Sequence, residues 1–439
     1  MTLNIIIVGA GIAGLTAAVS LHQAGHHVRV YESSAFAAEV GAALNLAPNG
    51  TRVLQKLGFD MQKASAVPIN NWDTVDGTSL RRIACQDLKQ ASERFGAAYV
   101  AVHRVDLHNE LMRLAGVDQP GARGVELHLS SRVIQIDPEA GLVEFVDGRI
   151  EKADLIIGAD GLHSVSRNAI TSASEGPSTA AKRSTGLSAF RFLVPTEVLE
   201  NHPAGKELLA WKTPGATLLG DPNSKTMEEE RHMMWYPCRS GKVQNFVGIH
   251  PTVTGEQPEN SEGAISMSPI TPFRILTVRK GIKRQMLSEF SHFHPQVVEI
   301  LSLGNDVNCW PLFHTEPLNS WTRGKLVVIG DAAHPMLPFG GQGSNQAIED
   351  GGALGFLLKD VDDVAEIPAR LELFEKVRRR RASRVQILST VRANREHQVE
   401  TQIRQYMEED VLLPNSFAAR VAHDAGFDVF RRCHEVLAI

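Results

Sequence analysis

The feature that most limits what this chain can become stands at its start, where Asn4-Ile-Ile-Ile-Val8 runs into Gly9-Ala-Gly11-Ile-Ala-Gly14. A short apolar run rich in β-branched residues and stopped by glycine predicts a strand buried on both faces, as in parallel sheets. Residues 12–24 then read as a helix closed by Gly25, and His27-Val-Arg-Val-Tyr31 as a second strand ending at Glu32. Glycine at 9, 11 and 14 permits the tight turn, lets backbone N–H groups approach a pyrophosphate, and packs helix on strand. The helix N-terminus adds partial positive charge. Glu32, eighteen residues beyond Gly14, is placed to accept from ribose hydroxyls. This combination predicts a dinucleotide site on a Rossmann-like α/β sheet without choosing between FAD and NAD.

Two further glycine signals narrow the choice. Asp154-Leu-Ile-Ile-Gly-Ala-Asp160-Gly161-Leu-His-Ser164-Val-Ser-Arg167 is again a buried strand running into an acid and a glycine. The third reads Gly330-Asp331-Ala-Ala-His334-Pro335-Met-Leu-Pro338-Phe-Gly340-Gly341-Gln-Gly343-Ser-Asn345-Gln-Ala-Ile-Glu349-Asp350. Here an acid at a strand end can hold a ribityl or ribose hydroxyl, and a glycine-rich stretch opens a helix. Bare amides at a helix N-terminus stabilise negative charge, including that on a reduced flavin ring.

The rest of the chain alternates character. Residues 125–146 carry period-two patterning split by turn residues, which predicts a β-meander leading into Asp154-Leu-Ile-Ile157. Short strands dominate residues 185–280, among them Met233-Met-Trp-Tyr236 and Asn245-Phe-Val-Gly-Ile249, while residues 252–272 read as a surface loop. Lys325-Leu-Val-Val-Ile329 returns as a buried strand, and long amphipathic helices follow from Glu349. The parts of one sheet therefore come from both ends and the middle of the chain. The expected division is a discontinuous nucleotide-binding domain in two parts, 1–180 and 301–370, a β-rich domain at 181–300 threaded through it, and a helical region at 371–439.

Composition serves mainly to exclude. Lys and Arg number 45 against 50 Asp and Glu, a net charge of −5, which offers nothing to attract nucleic acid or an anionic membrane. Four scattered cysteines without a CxxC pair give neither a disulfide framework nor a zinc ribbon. His334 has no spaced ligand set around it, so no metal is expected. Residues 3–21 lack charge, yet their glycines, Asn4 and Thr16 fit a strand–turn–helix better than a membrane span or signal peptide. A cytoplasmic protein, monomer or homodimer, is the expectation. The run Arg378-Arg-Arg-Arg381 sits among Leu373, Phe374, Val377, Val385 and Leu388 at helical spacing, and reads as a solvated helix face.

Taken together, the three glycine motifs resemble those of the class A flavoprotein monooxygenases, the FAD-dependent aromatic hydroxylases with the p-hydroxybenzoate hydroxylase fold, in their salicylate hydroxylase-like branch. The resemblance spans nearly the whole chain. It includes Val40-Gly41-Ala-Ala-Leu-Asn-Leu-Ala-Pro48-Asn49-Gly50, His103-Arg104-Val-Asp106-Leu107, and Trp310 to Pro317 leading to Trp321. It implies that Gly9, Gly11, Gly14 and Glu32 hold the adenosine half of a tightly bound FAD. Arg104 would lie by the phosphates or ribityl chain, and Asp160 with Gly161 would serve both FAD and the pyridine nucleotide. Asp331 would bind ribityl, and Gly340, Gly341, Gly343 and Asn345 would flank the isoalloxazine. One departure is Phe313-His314-Thr315, where relatives often carry an acidic or aromatic residue.

The chemistry the resemblance implies is reduction of the flavin by transient NAD(P)H, reaction with O2 to a flavin hydroperoxide, and oxygen transfer to an electron-rich ring of a phenol or phenolic acid. A phenol attacks better as phenolate, so a cation or hydrogen bond favouring the ionised form helps. Arg191, a charge inside the apolar run Leu187-Ser-Ala-Phe-Arg-Phe-Leu193, and Tyr236 on another strand of the insert are the candidates to hold that anion against the flavin. His334 and Pro335 are expected to shape the flavin's substrate side, with an acid/base role open for His334. The alternatives are oxidation of an indole or terpenoid, an NAD(P)-dependent dehydrogenase, and a non-catalytic nucleotide-binding scaffold.

Overall fold

The computed structural model describes residues 2–35, 42–117, 124–171, 183–226, 229–252, 272–408 and 411–438. Val40 and Gly41 of the segment Val40 to Gly50, and residues 253–271 of the expected loop, lie outside them. The chain forms two compact units: Met1–Ser65 with Gln90–Arg183 and His314–Ile439, and Ala66–Lys89 with Ser184–Phe313.

The first unit is built on a six-stranded sheet. Its order is Thr322–Arg323, Leu326–Val328, Leu155–Gly158, Asn4–Val8, His27–Tyr31 and Glu126–His128. All neighbours run parallel except the first pair. Asn4–Val8 lies in the middle because Ile5, Ile6 and Ile7 have no exposed surface; burying each such side chain is worth about 1.5–3 kcal/mol. The three motif strands are neighbours, with Ile6 beside Ile156 and Ile156 beside Leu326. One expectation is corrected here. Glu126–His128 does not open a meander but pairs in parallel with His27–Tyr31, Val30 opposite Leu127. The antiparallel sheet is made by Val133–Asp137, Leu142–Phe145 and Ile150–Lys152.

Helices Ile12–Gln23 and Gly343–Leu357 cross closely. A Cβ at Gly351 would stand 2.7 Å from the Ala17 nitrogen, and one at Gly355 would stand 1.9 Å from the Ser20 hydroxyl. The region beyond residue 371 is no separate body. Phe356 of the second helix meets Phe430 at 5.7 Å and His434 at 4.6 Å between ring centroids, so helix Val429–Leu437 belongs to this unit.

The second unit carries a seven-stranded sheet: Asn308–His314, Arg183–Pro195, Val243–Pro251, His232–Cys238, Ala216–Gly220, Asn71–Asp76 and Arg82–Asp87. Residues 66–89 therefore leave the span 1–180 assigned to the nucleotide domain. Asn71–Asp76 joins Ala216–Gly220 in parallel, Trp72 opposite Ala216, a partner more than a hundred residues away that no local pattern announces. One face of this sheet presents Phe190, Phe192, Trp235 and Phe246 to a core completed by Phe290, Phe293 and Val297.

Candidate functional site

At the first turn, Gly9 has φ +102° and donates its N–H to the Tyr31 carbonyl at 2.8 Å. A Cβ at Gly14 would lie 2.0 Å from the Gly9 oxygen, so the turn closes only with glycine at 14. Gly11 differs in kind. As N-cap of helix Ile12–Gln23 its φ of −72° is ordinary, and a Cβ there would meet nothing within 4 Å. Protein geometry does not demand glycine at 11; a group lying against the bare backbone would. No side chain caps this helix and no acid lies in its first turn, which leaves its N–H groups and dipole to an external anion.

Glu32 stands beside that helix end. One carboxylate oxygen accepts from the Ala10 N–H at 2.9 Å, the other from the Ser34 N–H at 2.8 Å and the Ser33 hydroxyl at 3.1 Å. The carboxylate is thus oriented by the turn it serves. The open glycine, the uncapped helix and the strand-end acid fit the pyrophosphate and ribose of a dinucleotide. Arg104 opens helix Arg104–Ala115, and its N–H donates to the Ala42 carbonyl at 3.0 Å.

In the second motif, the Asp160 carboxylate is a local cap. It accepts from the Ser164 hydroxyl at 2.6 Å and from the N–H groups of Val165 and Ser166 at 2.8 and 3.0 Å. Those bonds place it at the start of helix Val165–Thr171, so Asp160 shapes the loop instead of presenting a free acid, while Gly161, at φ +73°, has open space beside it. Arg167, almost fully buried, ties this loop to the third motif: it donates to the carbonyls of Leu162, Ala332 and Asp331. Burial pulls its pKa down, against the raising pull of Asp160 and Asp331. The Asp331 side chain itself is exposed.

The glycine-rich loop opens helix Gly343–Leu357, whose first turn has neither a side-chain cap nor an acid. A Cβ at Gly340 or Gly343 would meet only an atom 3.9 or 4.0 Å away, and Gly341 sits at φ +60°. Asn345 is fully buried and faces inward. It accepts from the Ala47 N–H at 2.9 Å and donates to the carbonyls of Asn45 and Gly341 at 3.2 and 3.0 Å. The Asn345 side chain therefore holds the loop.

His334 and Pro335 stand at the start of the same loop. The imidazole is 1% exposed, its Nε2 lies 2.6 Å from the Asp350 carboxylate, and its ring packs 5.0 Å from Trp321. Pro335 is buried too. Asp350 also accepts from the Gly330 N–H at 2.9 Å and from Arg378 Nε at 2.8 Å. Burial alone would push the Asp350 carboxyl up, but His334, Arg378 and the Gly330 N–H together hold it below the usual range.

Arg378 also binds Glu349, and Arg381 donates to Glu349 at 3.1 Å. Glu349 further accepts from Asn49 at 2.6 Å, whose amide reaches Gln342 at 3.0 Å. The arginine run was expected on a solvated face; Arg380 is exposed, but Arg378 and Arg381 have 0% and 3% of their surface open. Their helix turns two guanidiniums onto two buried acids, a pairing that helical apolar spacing does not reveal. The adjacent acids Glu349-Asp350, just ahead of the small and apolar run 351–357, were the available signal.

In the second unit, strand register fixes the faces. Arg191 is opposite Val247, Val247 opposite Met234, and Tyr236 opposite Asn245. Alternation along each strand puts Arg191 and Tyr236 on one common face, away from the Phe190, Phe192 and Trp235 core. Tyr236 is 4% exposed and Arg191 half-buried. Among the described residues no cluster of three or more His, Cys, Asp or Glu could hold a metal ion, and no helix is long and apolar enough to cross a membrane.

The family model described as the FAD binding domain matches residues 2–262 and 305–388. An FAD-dependent monooxygenase, cfoG, of Aspergillus candidus is 34% identical over 439 residues, covering 99% of this chain and 95% of its own. Hispidin-3-hydroxylase of Neonothopanus nambi is 34% identical over 388 residues, 87% of this chain and 86% of its own. Among solved structures, Klebsiella pneumoniae HpxO complexed with FAD and uric acid shares the fold with a TM-score of 0.72 at 23% identity, covering 99% and 97% of the two chains.

Proposed function

The chain belongs to the FAD-dependent monooxygenases built on this FAD-binding domain, and from that premise we propose that it hydroxylates an electron-rich aromatic ring, a phenol or phenolic acid, using NAD(P)H and O2. The observation that supports this reading most directly is the pair of uncapped helix N-termini, Gly11 and Gln342, each beside a glycine with open space in front of it. The N–H groups at 11–14 neutralise the pyrophosphate, Glu32 takes the ribose, and Arg104 adds charge near the phosphates. Asp331 holds the ribityl chain. The amides of residues 340–343 stabilise negative charge on the ring system. Bound FAD supplies hydride acceptance and O2 activation, which no side chain here provides.

On the second unit, Arg191 and Tyr236 bind the ionised oxygen of the substrate from one sheet face. A guanidinium favours phenolate over phenol, which raises the ring's electron density, and the tyrosine hydroxyl fixes its orientation. Hispidin and uric acid, the molecules named for two of the relatives, are both oxygen-bearing conjugated rings and agree with such a site.

The test is to load the purified protein with FAD and measure NAD(P)H oxidation across phenols, benzoates and indoles, counting hydroxylated product against peroxide. A phenol that stimulates turnover and appears as its hydroxylated product is the expected result. Colourless protein that takes up no FAD favours the scaffold reading. In Arg191→Gln and Tyr236→Phe, KM for the identified phenol rises while FAD content stays unchanged. Kinetics identical to the parent would remove both residues from the site.

A further inference from the structure

Helix Arg104–Ala115 packs on helix Ile12–Gln23 within the first unit, and Arg104 is not the only polar side chain it brings toward the first glycine turn. His108 follows Arg104 by four residues, so the two share one face of the helix. The imidazole is 3% exposed, and its helix neighbours Leu107 and Leu111 have no exposed surface. Its Nε2 lies 2.8 Å from the Ala10 carbonyl oxygen. A carbonyl only accepts, so Nε2 carries the proton and donates. An apolar side chain would fill this place as Leu107 and Leu111 fill theirs. What the imidazole adds is a donor, and the donor is spent on the backbone of the turn.

Successive peptide units of that turn are each held by one bond. The Gly9 N–H donates to the Tyr31 carbonyl at 2.8 Å, the Ala10 N–H donates to Glu32 at 2.9 Å, and the Ala10 carbonyl accepts from His108. The last of these units joins Ala10 to Gly11. Its bond is trans, so its C=O and N–H point to opposite sides of the chain. Drawing the carbonyl toward His108 therefore turns the Gly11 N–H the other way. That N–H precedes the helix ladder, in which Leu15 donates to the Gly11 carbonyl at 2.9 Å, and belongs to the donors a helix start leaves open. We infer that His108 is a positioning residue for the pyrophosphate: it sets the plane of the Ala10–Gly11 peptide and so aims the Gly11 N–H at the anion. The inference rests on the proposal that the N–H groups at 11–14 receive the pyrophosphate of FAD. It asks no proton transfer of the imidazole, and a neutral donor of the same reach serves as well.

The experiment compares the full-length parent with His108→Leu, which has no donor, and His108→Gln, whose amide nitrogen can stand in for Nε2. FAD affinity is read by quenching of flavin fluorescence, and the pyrophosphate of the bound FAD by phosphorus NMR. In His108→Leu the dissociation constant for FAD is expected to rise about tenfold, the worth of one hydrogen bond. The phosphorus resonances of the FAD that still binds move toward those of free FAD. His108→Gln is expected to restore both affinity and resonances. His108→Met, also without a donor, takes the place of the leucine variant if that one does not fold. Phosphorus resonances identical to the parent's in the donorless variant overturn the inference, because a purely structural imidazole would change the urea midpoint and leave the pyrophosphate where it was. So does a glutamine variant as impaired as the donorless one. A parent that takes up no FAD would instead remove the proposal on which the inference rests.

Discussion

Two glycines three residues apart make different demands. At Gly14 the demand comes from the chain itself, because a Cβ would sit 2.0 Å from the Gly9 oxygen. At Gly11 nothing in the chain objects to a methyl group. The substitutions should therefore separate folding from binding. Gly14→Ala is expected to lower stability by about 1–3 kcal/mol through overpacking, read by urea unfolding. Gly11→Ala should leave the urea midpoint in place and weaken FAD binding, read by quenching of flavin fluorescence. Equal effects of both on stability would show that the space in front of Gly11 has no ligand to serve. Asp160, Asn345 and His334 teach the complementary lesson. Each stands in a motif, yet each side chain is spent on positioning the loop, since strand-end acids and buried amides serve turns as readily as ligands.

At the level of elements, the meeting of helices Gly343–Leu357 and Ile367–Leu388 is held by a buried ionic cluster. Asp350 and Arg378 have no exposed side-chain surface, and they meet at 2.8 Å. Removing one partner strands the other charge away from water, at a cost of about 3–5 kcal/mol, so Arg378→Met should unfold at markedly lower urea. Arg378→Met combined with Glu349→Gln and Asp350→Asn should recover part of the loss. The folded Asp350 carboxyl is held below its ordinary value of 3.8. Its contribution is thus fully present above that value and is lost as pH falls through the lower folded one.

His250 on strand Val243–Pro251 behaves in the same direction for a different reason. It is 1% exposed, stacked 4.0 Å from Phe190, with Nε2 3.6 Å from the Cys309 sulfur. Burial chiefly brings its pKa down to about 4. Between pH 6.5 and about 4 the unfolded chain takes a proton that the folded chain refuses, so stability falls as pH drops through that window. The loss is about 3 kcal/mol at roughly 1.36 kcal/mol per pH unit. Urea midpoints measured from pH 7 to 4 should show that slope, and His250→Asn should flatten it.

Over the whole molecule, the second unit is assembled from segments that the chain order separates. Residues 71–87 supply two of its seven strands, and Ala216–Gly220 would become an edge without them. A fragment of residues 184–313 alone is expected to lack cooperative unfolding by circular dichroism. Joining residues 66–89 to it through a flexible linker should restore the transition. A fragment equally cooperative without residues 66–89 would show that the parallel pairing contributes little.

The division between sequence and tertiary structure follows the range over which each signal acts. Local pattern alone determined the strand–glycine–helix turn, the three motif strands and the presence of a dinucleotide site, because the turn glycines and strand-end acids stand within a few residues of one another. It also placed Arg191 and Tyr236 on strands of one sheet. Only the tertiary structure decided that both lie on the same face, through a register running across Val243–Pro251. The same holds for the recruitment of residues 66–89, and for the turning inward of two arginines of a basic run. Each of these depends on which distant backbone or carboxylate arrives opposite, and the free energy of that pairing appears only when the partner is in place.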